Sequence, residues 1–330
     1  MKFLSFPRIL NFFKIACGYL LSRVLRRPMH YGMPVAVSIE PTNRCNLHCP
    51  ECPSGQKELT RPSGFMDGSL FNTLIDQLSP ELAWLTLYFQ GEPYMNPLFF
   101  DFIAYAKSKS IFVSTSTNGH FLDAENAEAT VRSGLDRLII SVDGTDQQAY
   151  ESYRVGGSLQ KVIQGIKALA KAKRRSGSKT PEIIIQFLVL RSNQHLVHAI
   201  RKKGLEWGGD KVEIKTAQFN DFSHGNPLMP STDKYSRYRK QDGGWRIKNT
   251  LPNHCFRMWS SCVITWDGMV VPCCFDKDAE HELGDLNDKP FREIWESCEY
   301  KDFRQKILRQ RKQTGICKNC TEGMGLSRWL

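Results

Sequence analysis

The sequence predicts an α/β fold: six strand–helix units forming a parallel sheet, open or closed into a barrel, with a small cysteine-rich unit after it. Strand and helix signals alternate from about residue 33 to residue 220. Cys45, Cys49 and Cys52 follow directly on the first strand signal, and seven of the eleven cysteines lie after position 254. These observations divide the chain into a basic N-terminal segment (1–32), a core (33–220), a linker or active-site loop (221–254) and a small metal-stapled domain (255–330).

Residues 1–32 contain Lys2, Arg8, Lys14, Arg23, Arg26 and Arg27 and no acidic residue. The longest uncharged apolar run, 15–21, is far short of the ~20 residues that span a bilayer. A signal peptide's single apolar block and small-residue cleavage site are also missing. Ile9, Leu10, Phe13, Leu20, Val24 and Leu25 recur at roughly helical spacing with basic residues between them. Such a helix can lie in a membrane interface, or pack on the body or a partner.

Alternating or apolar runs at 34–40, 84–89, 111–116, 137–142, 183–189 and 211–217 read as strands. Helical patterns fall between them at 69–78, 99–108, 124–132, 159–175 and 194–207. In such sheets the chemistry sits at the carboxyl ends of the strands. Residues 221–254 break the rhythm, with Gly, Pro, Ser and charges in no clear period. Beyond 255 come clustered cysteines, a short hairpin-like stretch and a basic helix around 301–312.

A net charge of +11 invites a nucleic-acid reading, but the N-terminal segment supplies six of those charges and leaves about +5 for the rest, an ordinary solvated surface. Nucleic acid is therefore not an expected partner. A hydrophobic content of 41% suits a chain that buries a real core. Cysteines in tight clusters suit metal ligation in a reducing cytoplasm better than a disulfide framework.

Cys45-x3-Cys49-x2-Cys52 offers three thiolates on a strand-end loop, with no further cysteine before Cys255. Three thiolates can hold three irons of a cubane cluster and leave one iron open. His48 is an alternative fourth ligand, and a zinc knuckle an alternative to the cluster. This spacing on the first strand–helix loop closely resembles the radical SAM superfamily. The resemblance implies a partial (β/α)6 TIM-like barrel and a [4Fe–4S] cluster whose open iron chelates S-adenosylmethionine. Reductive cleavage of that cofactor then gives a 5′-deoxyadenosyl radical, with the electron from a donor such as flavodoxin or ferredoxin.

Other motifs extend the resemblance. Gln90-Gly91-Glu92-Pro93 is similar to the Gly-Gly-Glu-Pro element that binds the methionine amino group, with Gln90 in place of the first glycine. Thr117-Asn118-Gly119 ends the third strand and Ser141-x-Asp143-Gly144 the fourth, with Arg154 following. By resemblance Asn118 belongs to the cofactor site, and Ser141 and Arg154 hold its ribose or carboxylate. The residue before the third cysteine, often apolar in the family, is here Glu51, which leaves the adenine's cover open.

The tail resembles the SPASM/twitch extension of such enzymes. It implies one auxiliary [4Fe–4S] cluster on Cys255, Cys273, Cys317 and Cys320, with Cys262 an alternative to Cys255 and zinc an alternative metal. The expected activity is hydrogen abstraction with net oxidation of a sugar-like or other small metabolite. Peptide modification is the alternative enzyme reading, and a non-catalytic metal scaffold the third. The substrate is a small molecule or a peptide. The expected place is the cytoplasm or the inner face of the membrane.

Overall fold

The structure is a computed structural model that describes residues 5–322; Lys2, with the rest of the first four residues, and positions 323–330 lie outside the described residues. The N-terminal segment forms α1 (Phe6–Leu25), with proline in its first turn and Arg26 in the left-handed region at its end. A parallel sheet follows, laid down in chain order. Its first half comprises β1 (Ala36–Ile39), α2 (Pro53–Gln56), α3 (Gly68–Leu78), β2 (Trp84–Thr86), α4 (Phe99–Ser108), β3 (Phe112–Thr117) and α5 (Ala124–Arg132). Its second half comprises β4 (Arg137–Ser141), α6 (Gln147–Glu151), α7 (Leu159–Ser176), β5 (Glu182–Val189), α8 (Val197–Glu206) and β6 (Lys211–Thr216). Asp67, Asp123, Asp146 and Ser158 cap α3, α5, α6 and α7 by accepting from first-turn N–H groups.

The strands obey a period of two. Val37, Leu85, Val113, Leu138 and Ile183 are buried within the core that α3, α4, α5 and α7 also share. Ser38, Trp84, Thr86 and Arg137 instead line a hollow on the other face. Six strands in the order β1 to β6 are all parallel, which brings their carboxyl ends to one rim.

Residues 221–254 differ from the expected irregular loop. They contain a hairpin of β7 (Tyr238–Gln241) and β8 (Gly244–Ile247). Its turn, Asp242-Gly243, has φ of 51° and 75°, the left-handed pair that a two-residue type I′ hairpin turn requires. Strands of four residues, rich in charge, are too short to show alternation.

The tail continues the same sheet. After α9 (Arg257–Ser260), β9 (Ser261–Ile264) pairs parallel to β1, with Ala36 opposite Ser261 and Ile39 opposite Ile264. β10 (Met269–Val271) and β11 (Gly284–Asp285) add antiparallel strands, giving nine in the order β11-β10-β9-β1-β2-β3-β4-β5-β6. α10 (Phe291–Trp295) and α11 (Cys298–Gln310) then pack Trp295, Tyr300 and Ile307 into the core that holds Val37 and Leu85. Tail and barrel therefore share one apolar interior. No helix of the described residues is long and apolar enough to cross a membrane.

Candidate active site

Cys45, Cys49 and Cys52 lie on the loop between β1 and α2, where Cys52 is the residue before the helix and its N–H donates to Cys49 O at 3.1 Å. Gln56 Nε2 donates to the carbonyls of His48 and Cys49, both at 3.0 Å, so the loop is tied at its middle. Burial raises the thiols of Cys45, up to about 11, and Cys49. Loading a metal therefore means taking protons from them. Side chains from the neighbouring strand ends meet these sulfurs. Asn118 Nδ2 is 3.9 Å from Cys45 Sγ, and Arg154 Nη1 is 3.8 Å from Cys49 Sγ. His48 turns its Nδ1 to the Gly55 carbonyl at 3.1 Å.

Glu92 follows β2 and is 1% exposed. Its carboxylate accepts from Thr117 Oγ1 and the Asn118 N–H, each at 2.7 Å, and from the Tyr94 N–H at 3.3 Å. Desolvation outweighs these donors and pushes the carboxyl up to about 7. A cationic ligand at this spot would recover the ionised form. Gly91, at φ 74°, lies so close to the preceding loop that a Cβ there would stand 2.4 Å from Thr42 O. Only glycine fits that crossing. Gln90 is buried beside it, its Oε1 accepting from Ser54 Oγ at 3.5 Å, and Ser54 Oγ accepts from the Gly91 N–H at 3.2 Å.

Ser141 ends β4 on the same rim, buried and level with Gln186 of β5. Arg154 is held by Asp143, fully buried two residues further on, through Nε at 2.5 Å. Asp143 in turn accepts from the Leu188 N–H at 2.7 Å. Glu51 reaches the start of the 221–254 loop, where the N–H of Asn220, the residue just before it, and Asn226 Nδ2 within it donate to the carboxylate at 2.9 and 2.8 Å. Tyr88 has Cys52, Arg154 and Cys45 as electrostatic neighbours. Sequence reasoning passed over Tyr88, although it continues the inward alternation of Trp84 and Thr86.

The structure gathers Cys255, Cys273, Cys317 and Cys320 around one small apolar cavity walled by Met258 and Ile307. Arg311, fully buried, spans one side: Nη2 lies 3.5 Å from Cys320 Sγ and 2.8 Å from Glu322 O, and Nη1 donates to His254 O at 2.6 Å. Cys262 is turned to Tyr300 and Arg304 instead. Arg257 Nη1 lies 3.6 Å from Cys274 Sγ. All eleven cysteines are free. Four cysteine sulfurs in a small, largely apolar cavity beside a buried guanidinium make a donor set suited to iron–sulfur ligation. Three cysteine sulfurs on one loop, with the buried Glu92 carboxyl nearby, suit a cluster with one open iron. Arg311 carried no sequence signal, because nothing in a basic helical run marks which arginine turns inward.

Beside the second cysteine group the barrel is hollow. A cavity of about 360 Å³ is lined by Ser38, Trp84, Thr86, Arg137, Arg257 and Cys274 among others. Lys277, whose ammonium is lowered by burial, has Cys52 and Glu51 as electrostatic neighbours on one hand and Cys274 and Arg237 on the other.

Residues 39–185 match the model of the radical SAM superfamily, and residues 255–321 match the SPASM iron–sulfur cluster-binding domain. Among curated proteins the chain is 27% identical over 296 residues to a tungsten-containing aldehyde ferredoxin oxidoreductase cofactor-modifying protein of Pyrococcus furiosus, covering 81% of this chain and 82% of that one. It is 26% identical over 283 residues to the PqqA peptide cyclase of Gluconobacter oxydans, covering 79% and 76%. Among solved structures, SuiB of Streptococcus suis bound to its precursor peptide SuiA superposes with a TM-score of 0.66 at 12% identity, covering 92% and 74%. At that identity the likeness speaks for the fold, a partial TIM-like barrel with a cysteine-rich C-terminal domain.

Proposed function

This chain belongs to the radical SAM superfamily with a C-terminal SPASM domain, and on that premise we propose that it oxidises a small polar metabolite held inside the barrel. Its cofactors are a [4Fe–4S] cluster, S-adenosylmethionine and auxiliary iron–sulfur; we assign the first cluster to Cys45, Cys49 and Cys52, and a single auxiliary [4Fe–4S] cluster to Cys255, Cys273, Cys317 and Cys320. When bound, the first cluster supplies the electron that splits S-adenosylmethionine into methionine and a 5′-deoxyadenosyl radical.

In this reading the protein's part is to bind, orient and exclude water. Glu92 meets the methionine ammonium, with Gln90, Gly91 and Asn118 shaping the cradle and Ser141 and Arg154 facing the ribose or carboxylate. A C–H bond of the substrate breaks, its hydrogen atom leaving in 5′-deoxyadenosine. The auxiliary cluster, which Cys255, Cys273, Cys317 and Cys320 would hold, would supply the acceptor for the substrate's remaining electron, and Lys277 would take its proton.

The observation that carries the proposal is the cavity of about 360 Å³ inside the barrel, walled on one side by Cys262, Cys273 and Cys274. Metabolite sites run from about 300 to 1,000 Å³ with a few convergent polar groups. Ser38 and Thr86 offer hydroxyls, and Arg137 and Arg257, already paired with Glu182 and Glu322, offer their remaining N–H groups to an oxygen-rich molecule. A second reading, modification of a peptide, is favoured by the likeness to the PqqA peptide cyclase. Candidate substrates labelled with deuterium separate the two: transfer of the label into 5′-deoxyadenosine from a small metabolite supports the first reading. Transfer only from a peptide would replace it.

A further inference from the structure

Helix α1 is amphipathic in the wrong sense for a helix that only packs on its own protein. The residues it buries are Arg8, Asn11, Ile15, Gly18, Tyr19 and Ser22, mostly polar or small. The residues it exposes include Phe6 at 78%, Phe13 at 64%, Leu20 at 50% and Val24 at 79%. With Ile9, Leu10 and Leu21, also exposed, they recur at three- and four-residue intervals within 6–13 and within 20–24, two turns apart, and form one stripe.

The inward face is locked, so the stripe cannot roll inward. Arg8 donates to the carbonyls of Ser79 and Lys109 at 3.0 and 2.9 Å and of Ser110 at 2.5 Å. Asn11 exchanges two hydrogen bonds with the Met33 backbone, at 2.8 and 2.9 Å. Ser22 does the same with Met29, and Tyr19 OH meets His254 Nδ1 at 2.8 Å. Gly18 brings the helix so close that a Cβ would stand 2.9 Å from Met29 O.

A second, independent feature adjoins the carboxyl end of this helix. An open cavity of about 630 Å³ is lined by Arg23, Arg26, Arg27 and Arg309, with Asn253 and His254, and by no carboxylate. α11 supplies Arg309 and is tied to the end of α1 by Gln305 Nε2, which donates to Arg26 O at 3.2 Å. Lys14 stands exposed on α1 itself.

We propose that α1 lies in the interface of an anionic membrane, its apolar stripe in the acyl boundary and the four-arginine cavity on lipid phosphate headgroups. Charge complementarity selects this occupant: an apolar stripe beside a carboxylate-free arginine cluster matches an apolar layer covered by anions. A second copy would set arginine against arginine. The arrangement holds the enzyme at the surface of the bilayer.

The test is sedimentation of the full reconstituted chain with vesicles of phosphatidylcholine, with or without phosphatidylglycerol. The wild type should pellet with the anionic vesicles and be released by high salt. Phe13→Glu with Val24→Glu changes only exposed positions, and should lower the partition about tenfold or more. Arg26→Ala, Arg27→Ala and Arg309→Ala together should lower it by a similar factor on anionic vesicles and leave weak neutral binding unchanged. Circular dichroism establishes that each variant is folded. The proposal is overturned if the wild type stays in the supernatant, or if Phe13→Glu/Val24→Glu pellets like the wild type. It is equally overturned if the wild type is a dimer without vesicle affinity that those substitutions convert to monomer.

Discussion

Arg154 stands 3.8 Å from Cys49 Sγ through Nη1 while Asp143 holds its Nε at 2.5 Å. A cation so fixed lowers the free-energy cost of a thiolate-rich centre and keeps part of its fork free for a carboxylate. Arg154→Met leaves Asp143 as an uncompensated buried charge. It should cost about 3–5 kcal/mol in thermal or denaturant unfolding. Arg154→Lys keeps the charge and loses the fork, so iron content should hold while S-adenosylmethionine affinity falls about tenfold.

Glu92 sets a pH dependence. Burial pushes its carboxyl from the ordinary 4.5 up to about 7. Between those values the native chain keeps a proton that the unfolded chain has released, so this group's contribution to stability is full below 4.5 and is lost as pH rises to about 7. Glu92→Gln should flatten that slope in melts of the chain without S-adenosylmethionine. A bound ammonium favours the carboxylate, so cofactor affinity should rise with pH over the same window. Calorimetry near pH 6 in buffers of different ionisation enthalpy should register release of up to about one proton.

Glu51 fastens the cysteine loop to the segment around the start of the 221–254 loop, through Asn220 and Asn226. Glu51→Ala should leave the fold and the iron content intact. Hydrogen exchange at residues 219–229 should speed up, and the substrate KM should rise more than kcat falls. Unchanged exchange there would show that the loop is held by other contacts.

Arg311 lies against the tail's cysteines, with Cys255, Cys320 and Cys317 as its electrostatic neighbours. Arg311→Met removes a cation fully buried against Cys320 and frees the His254 and Glu322 carbonyls. Iron should drop from about eight to about four per chain, with the spectrum of the first cluster kept. Retention of about eight irons would assign the cysteines' stability to packing alone.

The parallel sheet was legible because each strand pairs an apolar face with a helix. The 84–89 run reads as a strand because Leu85 and Leu87 are buried behind it, and the regular strand ends at Thr86 because the chain then bends into the Gln90–Pro93 crossing. The β7–β8 hairpin was hidden by its length, though Asp242-Gly243 was the one readable sign. The pairing of β9 with β1 could not be seen, since more than two hundred residues separate the partners and either could edge a sheet. In the site, the cysteines and Glu92 stand in recognisable local spacings. Arg311, Lys277 and the Glu51 tether acquire meaning only from what lies across the fold.

The central claim is that Cys45, Cys49 and Cys52 build a site that splits S-adenosylmethionine. Its most direct measurement is the 5′-deoxyadenosine formed after anaerobic cluster reconstitution and reduction. The wild type should form it. Cys49→Ala should not, and Cys317→Ala/Cys320→Ala should still form it without oxidising substrate. No 5′-deoxyadenosine from a fully loaded wild type, or an undiminished yield from Cys49→Ala, would contradict the account.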